Sequence, residues 1–541
     1  MPAALFAKLL GMLYKIPLLY VVGVEGMAYF LAAYHVYALL FVVSSTGLPT
    51  ALSLQVARAR ARGQGDAVLR TLRVAMTLFL LLGTALALSL AAFAEPIASA
   101  LAISGAATSL RAIAPALCAA ALIGAAKGYF QGHGRMGTTA IAEVLEAAGK
   151  LGFGIVFARM AVRRGESPER IAAAAIFGIT AGLALSAAFL LVALLWHRAR
   201  SVRALSSARY LPPYGGILAE LLRVALPVTL GASVMSLASV VDTALISARL
   251  QSAGFAPDVA HAMYSTYGNL AIPFYNLLPS LLSPVTLALA PQLAAATQRG
   301  DAPAARGVLS SSMRIVTMLA VPAALGLSLF AAPLLSLLFA TQDAAVALAA
   351  PLLSVLAFAV LPACLTTLMS AALQAIGRER VPVTATLVGV LCKLVIEFFL
   401  LGTPGVYLMG APVSTIGCTL AVLLVEWRAL CRALPFAPIR PCELFRPLAA
   451  TIPALGAGLG VYTLLLSRLD SAVVTLLALC AVLVLYVPLS LRLGVLERED
   501  LLSLPAGERI LPLLEKWNLL KGSGKHDKTG KAGIHPAKGE L

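Results

Sequence analysis

Parts of this chain repeat at a nearly fixed distance inside an almost unbroken series of apolar segments. Pro49, Gly65 and Asp66 recur as Pro284, Gly300 and Asp301, 235 positions on. Gln131, Gly134, Arg135 and Lys150 recur as Gln374, Gly377, Arg378 and Lys393, 243 positions on. A repeat of that length restricts the fold to two copies of one multi-span helical unit. The repeated lysine carries the most weight, because in both copies it falls in the middle of an apolar segment.

The segments are of membrane-spanning length. Of 541 residues, 60% are hydrophobic and 12% charged, against about 25% charged in soluble domains. Runs of roughly 20 apolar residues, enough to cross a bilayer, follow one another with short breaks. The period-2 alternation of a transmembrane barrel is absent. The chain therefore reads as an all-α polytopic membrane protein of about fourteen spans: 3–22, 27–57, 70–94, 109–130, 137–158, 171–196, 216–248, 262–295, 308–338, 345–375, 381–402, 406–430, 444–467 and 471–492. The seven cysteines are scattered with no CxxC or Cys/His cluster, so no metal site is indicated. The first apolar stretch carries Lys8 and Lys15 and no small-residue cleavage site, so no cleavable leader is expected.

Charge distribution sets the expected orientation. With the N-terminus in the cytoplasm, the inner loops hold twenty Lys and Arg residues and the outer loops seven. That bias places both termini in the cytoplasm of a bacterial plasma membrane. The loop at 159–170 is the exception, with Arg159, Arg163, Arg164 and Arg170 on the outside. The net charge of +17 is thus mainly topological and gives no ground for nucleic-acid binding. The basic tail beyond Gly494, poor in apolar residues, reads as disordered and suited to anionic headgroups.

The repeat offset corresponds to six spans, an even number, so the two copies share one orientation. The expected organisation is an N-lobe at 1–196, a basic linker at 197–215, a C-lobe at 216–432, two added spans at 433–493 and a tail at 494–541. Membrane proteins of this construction usually move a substrate through the seam between the copies.

Ionisable residues at bilayer depth cost about 2.5–3.5 kcal/mol each, so they face a cavity or a partner. Span 5 carries Glu143, Glu146 and Lys150 on one helical face. Span 11 carries Lys393 and Glu397, four residues apart and able to pair. Lys15 lies in span 1 beside Pro17, and Asp242 in span 7. Lys150 and Lys393, as repeat mates, are expected to face each other across the pseudo-twofold axis with an anion between them. The alternative is that each is neutralised by its local glutamate. The histidines are dispersed, and no phosphate-cradling glycine loop is present.

Several stretches resemble a known family: KLLGMLYKIPLLYVVGVEG at span 1, KGYFQGHGRM before span 5, LPVTLGASVMSLASVVDTALISARL in span 7, YGNLAIPFYNLLPSLLSPVTLALAPQLAAA in span 8, and LQAIGRERVP. They resemble the stage V sporulation protein B and MurJ-like polysaccharide flippases of the superfamily that also holds the MATE drug exporters. The resemblance covers about residues 5–490. It implies a V-shaped two-lobed fold and no enzymatic activity. The implied function is flipping of an undecaprenyl-pyrophosphate-linked cell-wall precursor from the inner to the outer leaflet. Lys15, Lys150 and Lys393 would hold the pyrophosphate. Glu143, Glu146, Asp242 and Glu397 would line the cavity or take a coupling cation, a proton or sodium ion; no other cofactor is implied. The partners implied are the lipid-linked glycan, membrane lipids and wall-synthesis proteins. Two other readings are a MATE-like cation exporter, which has little use for central lysines, and a membrane glycosyltransferase, which needs a sizeable acidic loop that is not seen.

Overall fold

The computed structural model describes residues 15–201, 213–434 and 441–495, and the chain there is almost wholly helical. The first half comprises α1 (Lys15–Ser45), α2 (Gly47–Ala61), α3 (Gly65–Ala92), α4 (Ala94–Ala100), α5 (Ala106–Ile113), α6 (Ala116–Gly132), α7 (Met136–Arg163) and α8 (Pro168–Ser201). The second comprises α9 (Tyr214–Ser252), α10 (Pro257–Thr266), a π turn (Tyr267–Ala271), α11 (Ile272–Leu281), α12 (Ser283–Gln298), α13 (Ala302–Leu329), α14 (Ala331–Leu338), α15 (Asp343–Leu356), α16 (Val360–Ala375), α17 (Arg380–Leu401) and α18 (Gly410–Ala433). The added pair is α19 (Pro441–Leu465) and α20 (Ser471–Arg492). Span 1 up to Tyr14, most of the linker and nearly all of the tail lie outside the described residues.

Eleven helices among the described residues are long and apolar enough to cross a membrane. The expected spans account for more, for physical reasons. Gly23, in the expected turn between spans 1 and 2, has φ 77° and ψ 167° and divides α1 into two helical segments. Span 5 is α7, whose charges dilute its hydropathy. Span 8 is not one helix: α10, the π turn, α11 and α12 follow one another, with Pro273, Pro279, Pro284 and Pro291 along them. Each proline removes a backbone donor and crowds the preceding turn, so the segment is broken where the sequence reading has one span. At the other boundary, α8 runs through His197 to Ser201, further than the expected start of the linker.

Helix contact rests on small residues, since lipid gives no hydrophobic drive between spans. A Cβ on Gly178 would lie 2.3 Å from the backbone of Gly154, and one on Gly182 2.5 Å from the backbone nitrogen of Lys150. These glycines bring α7 and α8 into backbone contact. Ser186 Oγ, donating to the Ala142 carbonyl at 3.0 Å, fixes their register.

The halves meet along α1, α2 and α3 on one side and α9, α10 and the π turn on the other. At the end bearing the arginine-rich loops, Arg58 pairs with Glu220 at 2.9 Å, Gln55 Nε2 donates to the Ile217 carbonyl at 3.3 Å, and Arg70 lies 3.9 Å over the Tyr214 ring. At the Gly23 end, Gln251 Nε2 donates to the Ala102 carbonyl at 2.8 Å. Helices α19 and α20 pack on α13 and α14, where Tyr486 donates to the Met318 carbonyl at 2.6 Å and Phe330 is buried.

The glycine contact makes a stability prediction. Gly178→Val should destabilise the protein by about 1–3 kcal/mol, the usual cost of overpacking, whereas Gly152→Val, with nothing within 4 Å of its Cβ, should be neutral. Thermal unfolding in detergent reads the difference; equal midpoints would refute the account of the α7–α8 contact.

Candidate functional site

The ionisable residues at membrane depth gather into one network in each half. In the first half α7 presents Glu143, Glu146 and Lys150 along one stripe, as the spacing predicts. Lys150 Nζ donates to Glu146 Oε1 at 2.6 Å. Lys127, from α6, joins from the side, 3.3 Å from Glu143 Oε1 and 4.0 Å from Glu146 Oε2. Two ammoniums alternate with two carboxylates, so the network is formally neutral. It is not sealed inside the bundle: the Glu143 side chain is 40% exposed and that of Lys150 23%.

In the second half Lys393 on α17 donates to Asp242 Oδ2 on α9, and lies 4.0 Å from Glu397 Oε2. Glu397 is fully buried, and neither of its carboxylate oxygens receives a hydrogen bond; nor does Asp242 Oδ1. One ammonium faces two carboxylates, so this network carries one unbalanced negative charge when all three are ionised. The π turn places Tyr267 on the same side, its hydroxyl 3.3 Å from Thr415 Oγ1 on α18.

Lys150 and Lys393 therefore do not share a partner. Each takes its carboxylates from its own half: Lys150 pairs with its local Glu146, whereas Lys393 bonds Asp242 on another helix and has its local Glu397 at 4.0 Å. Lys15 opens α1, and its side chain lies outside the described residues. The sequence reading missed Lys127, assigned to an inner loop; its link to Glu143 joins two different spans and leaves no spacing signal. It also missed Glu426 on α18, fully buried, which accepts from Ser370 Oγ at 2.6 Å. A lone acid in an apolar stretch was the available signal there, masked by its closeness to Arg428 and the span end.

The dispersed histidines also acquire partners. His35 Nδ1 lies 2.8 Å from Thr243 Oγ1 and 3.2 Å from the Tyr264 hydroxyl, and those two oxygens lie 2.9 Å apart. This cluster crosses between the halves, and Thr243 adjoins Asp242 of the second network. His133 and His197 stand with ring centroids 5.1 Å apart, beside Tyr129.

Two helical halves, each with a lysine–carboxylate network among its apolar helices and joined along a hydrogen-bonded seam, have the construction of a membrane transporter. The family described as lipid II flippase MurJ matches residues 106–486, and the chain belongs to it. The chain is 23% identical over 405 residues to the lipid II flippase MurJ of Bacillus subtilis (strain 168), covering 72% of this chain and 74% of that protein. It is 23% identical over 435 residues to the stage V sporulation protein B of the same organism, covering 80% and 82%. Among solved structures, a lipid II flippase MurJ in an inward closed conformation superposes with a TM-score of 0.68 at 15% identity, over 90% of this chain and 97% of that one. An inward-facing multidrug resistance MATE transporter of the MOP superfamily gives 0.64 at 18% identity, over 79% and 95%. The fold expected from the repeat is the one these structures share.

Removing one member of a buried ion network leaves the others uncompensated, at a cost of about 3–5 kcal/mol. Lys393→Met should lose stability on that scale, and the triple variant Asp242→Asn/Lys393→Met/Glu397→Gln should recover most of it. Chemical denaturation in detergent measures both; a triple variant no more stable than the single one would contradict the pairing described.

Proposed function

We propose that the protein flips an undecaprenyl-pyrophosphate-linked cell-wall precursor from the inner to the outer leaflet of the plasma membrane by alternating access. Both termini are cytoplasmic in this reading, because the Arg-rich loops lie at the end that then faces the cytoplasm. The observation that carries the reading is family membership over residues 106–486, joined to a charged, partly exposed network among the helices of the first half. Alternating access in two-lobed transporters is largely rigid rocking of one bundle against the other around a site near the midplane.

In this mechanism the pyrophosphate enters from the cytoplasmic side and meets Lys127 and Lys150. Ammonium–phosphate contacts are charge-assisted and stronger than neutral hydrogen bonds, so the anion displaces Glu143 and Glu146 as the lysines' partners. The glycan occupies the polar seam, and the polyprenyl chain stays in lipid. The lobes then part at the Gly23 end and release the headgroup to the enzymes that build the wall. Asp242, Lys393 and Glu397 supply direction. Their excess negative charge is neutralised by one proton, and a buried unpaired charge is strongly disfavoured. Proton uptake there therefore biases which face is open. Lys393, held between the two acids, is a coupling residue in this mechanism rather than a pyrophosphate ligand.

Proteoliposomes loaded with fluorescent lipid II, read by dithionite quenching, test this. Lys127→Met/Lys150→Met, carried in the charge-neutral background Glu143→Gln/Glu146→Gln, should slow flipping about tenfold or more, the worth of one to two lost charged hydrogen bonds. An outside-acid pH gradient should accelerate the wild type and leave Asp242→Asn/Glu397→Gln unaffected. Flipping by the quadruple variant at the wild-type rate would overturn the substrate site. A gradient response surviving in Asp242→Asn/Glu397→Gln would overturn the coupling site.

A further inference from the structure

The arginines at 159–170 gain no explanation from the transport reading, yet two of them, Arg164 and Arg170, border a cavity. Between the Gly154–Gly178 contact and the loop that joins α7 to α8 lies a groove of about 430 Å³. Its walls are Phe157, Met160 and Arg164 on α7, and Arg170, Ala174 and Phe177 on α8. These positions follow helical spacing, so each wall places aromatic or apolar side chains below and a guanidinium above. Phe157 and Phe177 stand with centroids 5.9 Å apart.

The groove opens toward lipid. Phe177, Leu185, Val192 and Leu195 are exposed along α8, a continuous apolar stripe down the helix. In a membrane protein such a stripe borders acyl chains. Arg170 is engaged by Glu166 at 2.8 Å. Among the described residues, Arg164 has no carboxylate within ion-pair distance. Within the groove one positive charge is therefore left uncompensated, over an apolar floor, at the end of two spans.

We propose that this groove binds one anionic phospholipid from the leaflet at the Gly23 end. Its phosphodiester sits on Arg164 and its acyl chain lies along Phe157, Met160 and Phe177. A single negative phosphodiester matches the single unpaired guanidinium, and the amphiphile matches the polarity gradient of the walls. The site is independent of the transport networks and of which way the protein faces.

Full-length protein in detergent, presented with equimolar phosphatidylglycerol and phosphatidylcholine, is read by native mass spectrometry. The wild type should retain phosphatidylglycerol in preference. Arg164→Gln should lower that preference about fivefold, the worth of one basic residue toward an anionic lipid. Ala174→Phe, which fills the groove and keeps every arginine, should also abolish it. Adding inorganic phosphate in excess should leave the lipid adduct intact. Equal retention of the two lipids by the wild type, or a preference surviving in both variants, would overturn the proposal. Loss of the adduct to inorganic phosphate would reassign the site to a free anion. Displacement of phosphatidylglycerol by an equal concentration of undecaprenyl pyrophosphate would reassign it to the transported lipid.

Discussion

An ion placed in hydrocarbon without a partner costs more than a membrane helix can easily offset, and this cost organises the protein. Every lysine seen at mid-membrane depth is tied to carboxylates of its own half: Lys127 and Lys150 to Glu143 and Glu146, Lys393 to Asp242 and Glu397. The partners come from spans that pack within a bundle, so each network also holds helices together: α6 to α7 in one half, α9 to α17 in the other. Among the described residues no charge pair at that depth spans the seam, so those ions stay paired if the halves separate there.

The polar contacts that join the halves are individually weaker, and they lie beside an apolar core that both halves share. The His35–Thr243–Tyr264 cluster, the Gln251–Ala102 bond and the exposed Arg58–Glu220 pair are neutral or surface contacts. Hydrogen bonds of this kind are worth about 0.5–1.5 kcal/mol net, and exposed ion pairs about 0–1. The difference between rigid bundles and a soft seam is what rocking requires. The π turn at Tyr267–Ala271 also lies on the seam, where a Cβ on Gly268 would lie 2.2 Å from the Leu31 side chain of α1.

Much of this was legible in the sequence, and the limits have physical causes. The helical, many-span character followed from apolar run length, and the Glu143–Glu146–Lys150 stripe from helical periodicity, because both are local; the expected fourteen spans stand against eleven membrane-length helices among the described residues. Lys127 was not legible as a site residue, because its partner lies across a helix contact. Nor was the Lys393–Asp242 bond, for the same reason. The repeat made Lys150 and Lys393 equivalent in position but said nothing of the acids beside them. Those acids differ: two balance Lys127 and Lys150, while two oppose Lys393 alone. The prolines of span 8 were visible, yet only the folded chain shows that they divide it into separate helices. The four arginines at 159–170 were read as a topological exception, and the groove between α7 and α8 supplies them with a structural setting.

The central claim is that two internally paired bundles rock about one seam. It is tested most directly by pulsed electron spin resonance on the full-length protein in lipid nanodiscs. In a cysteine-depleted background, one label pair at Arg62 and Gly216 reports the Arg-rich end, and another at Ser104 and Asp258 the Gly23 end. Both pairs lie on exposed positions flanking the seam. Titration with lipid II and with pH should change the two distance distributions in opposite directions, one end widening as the other narrows. Single, unchanging distances at both ends in protein that still flips lipid would contradict the account.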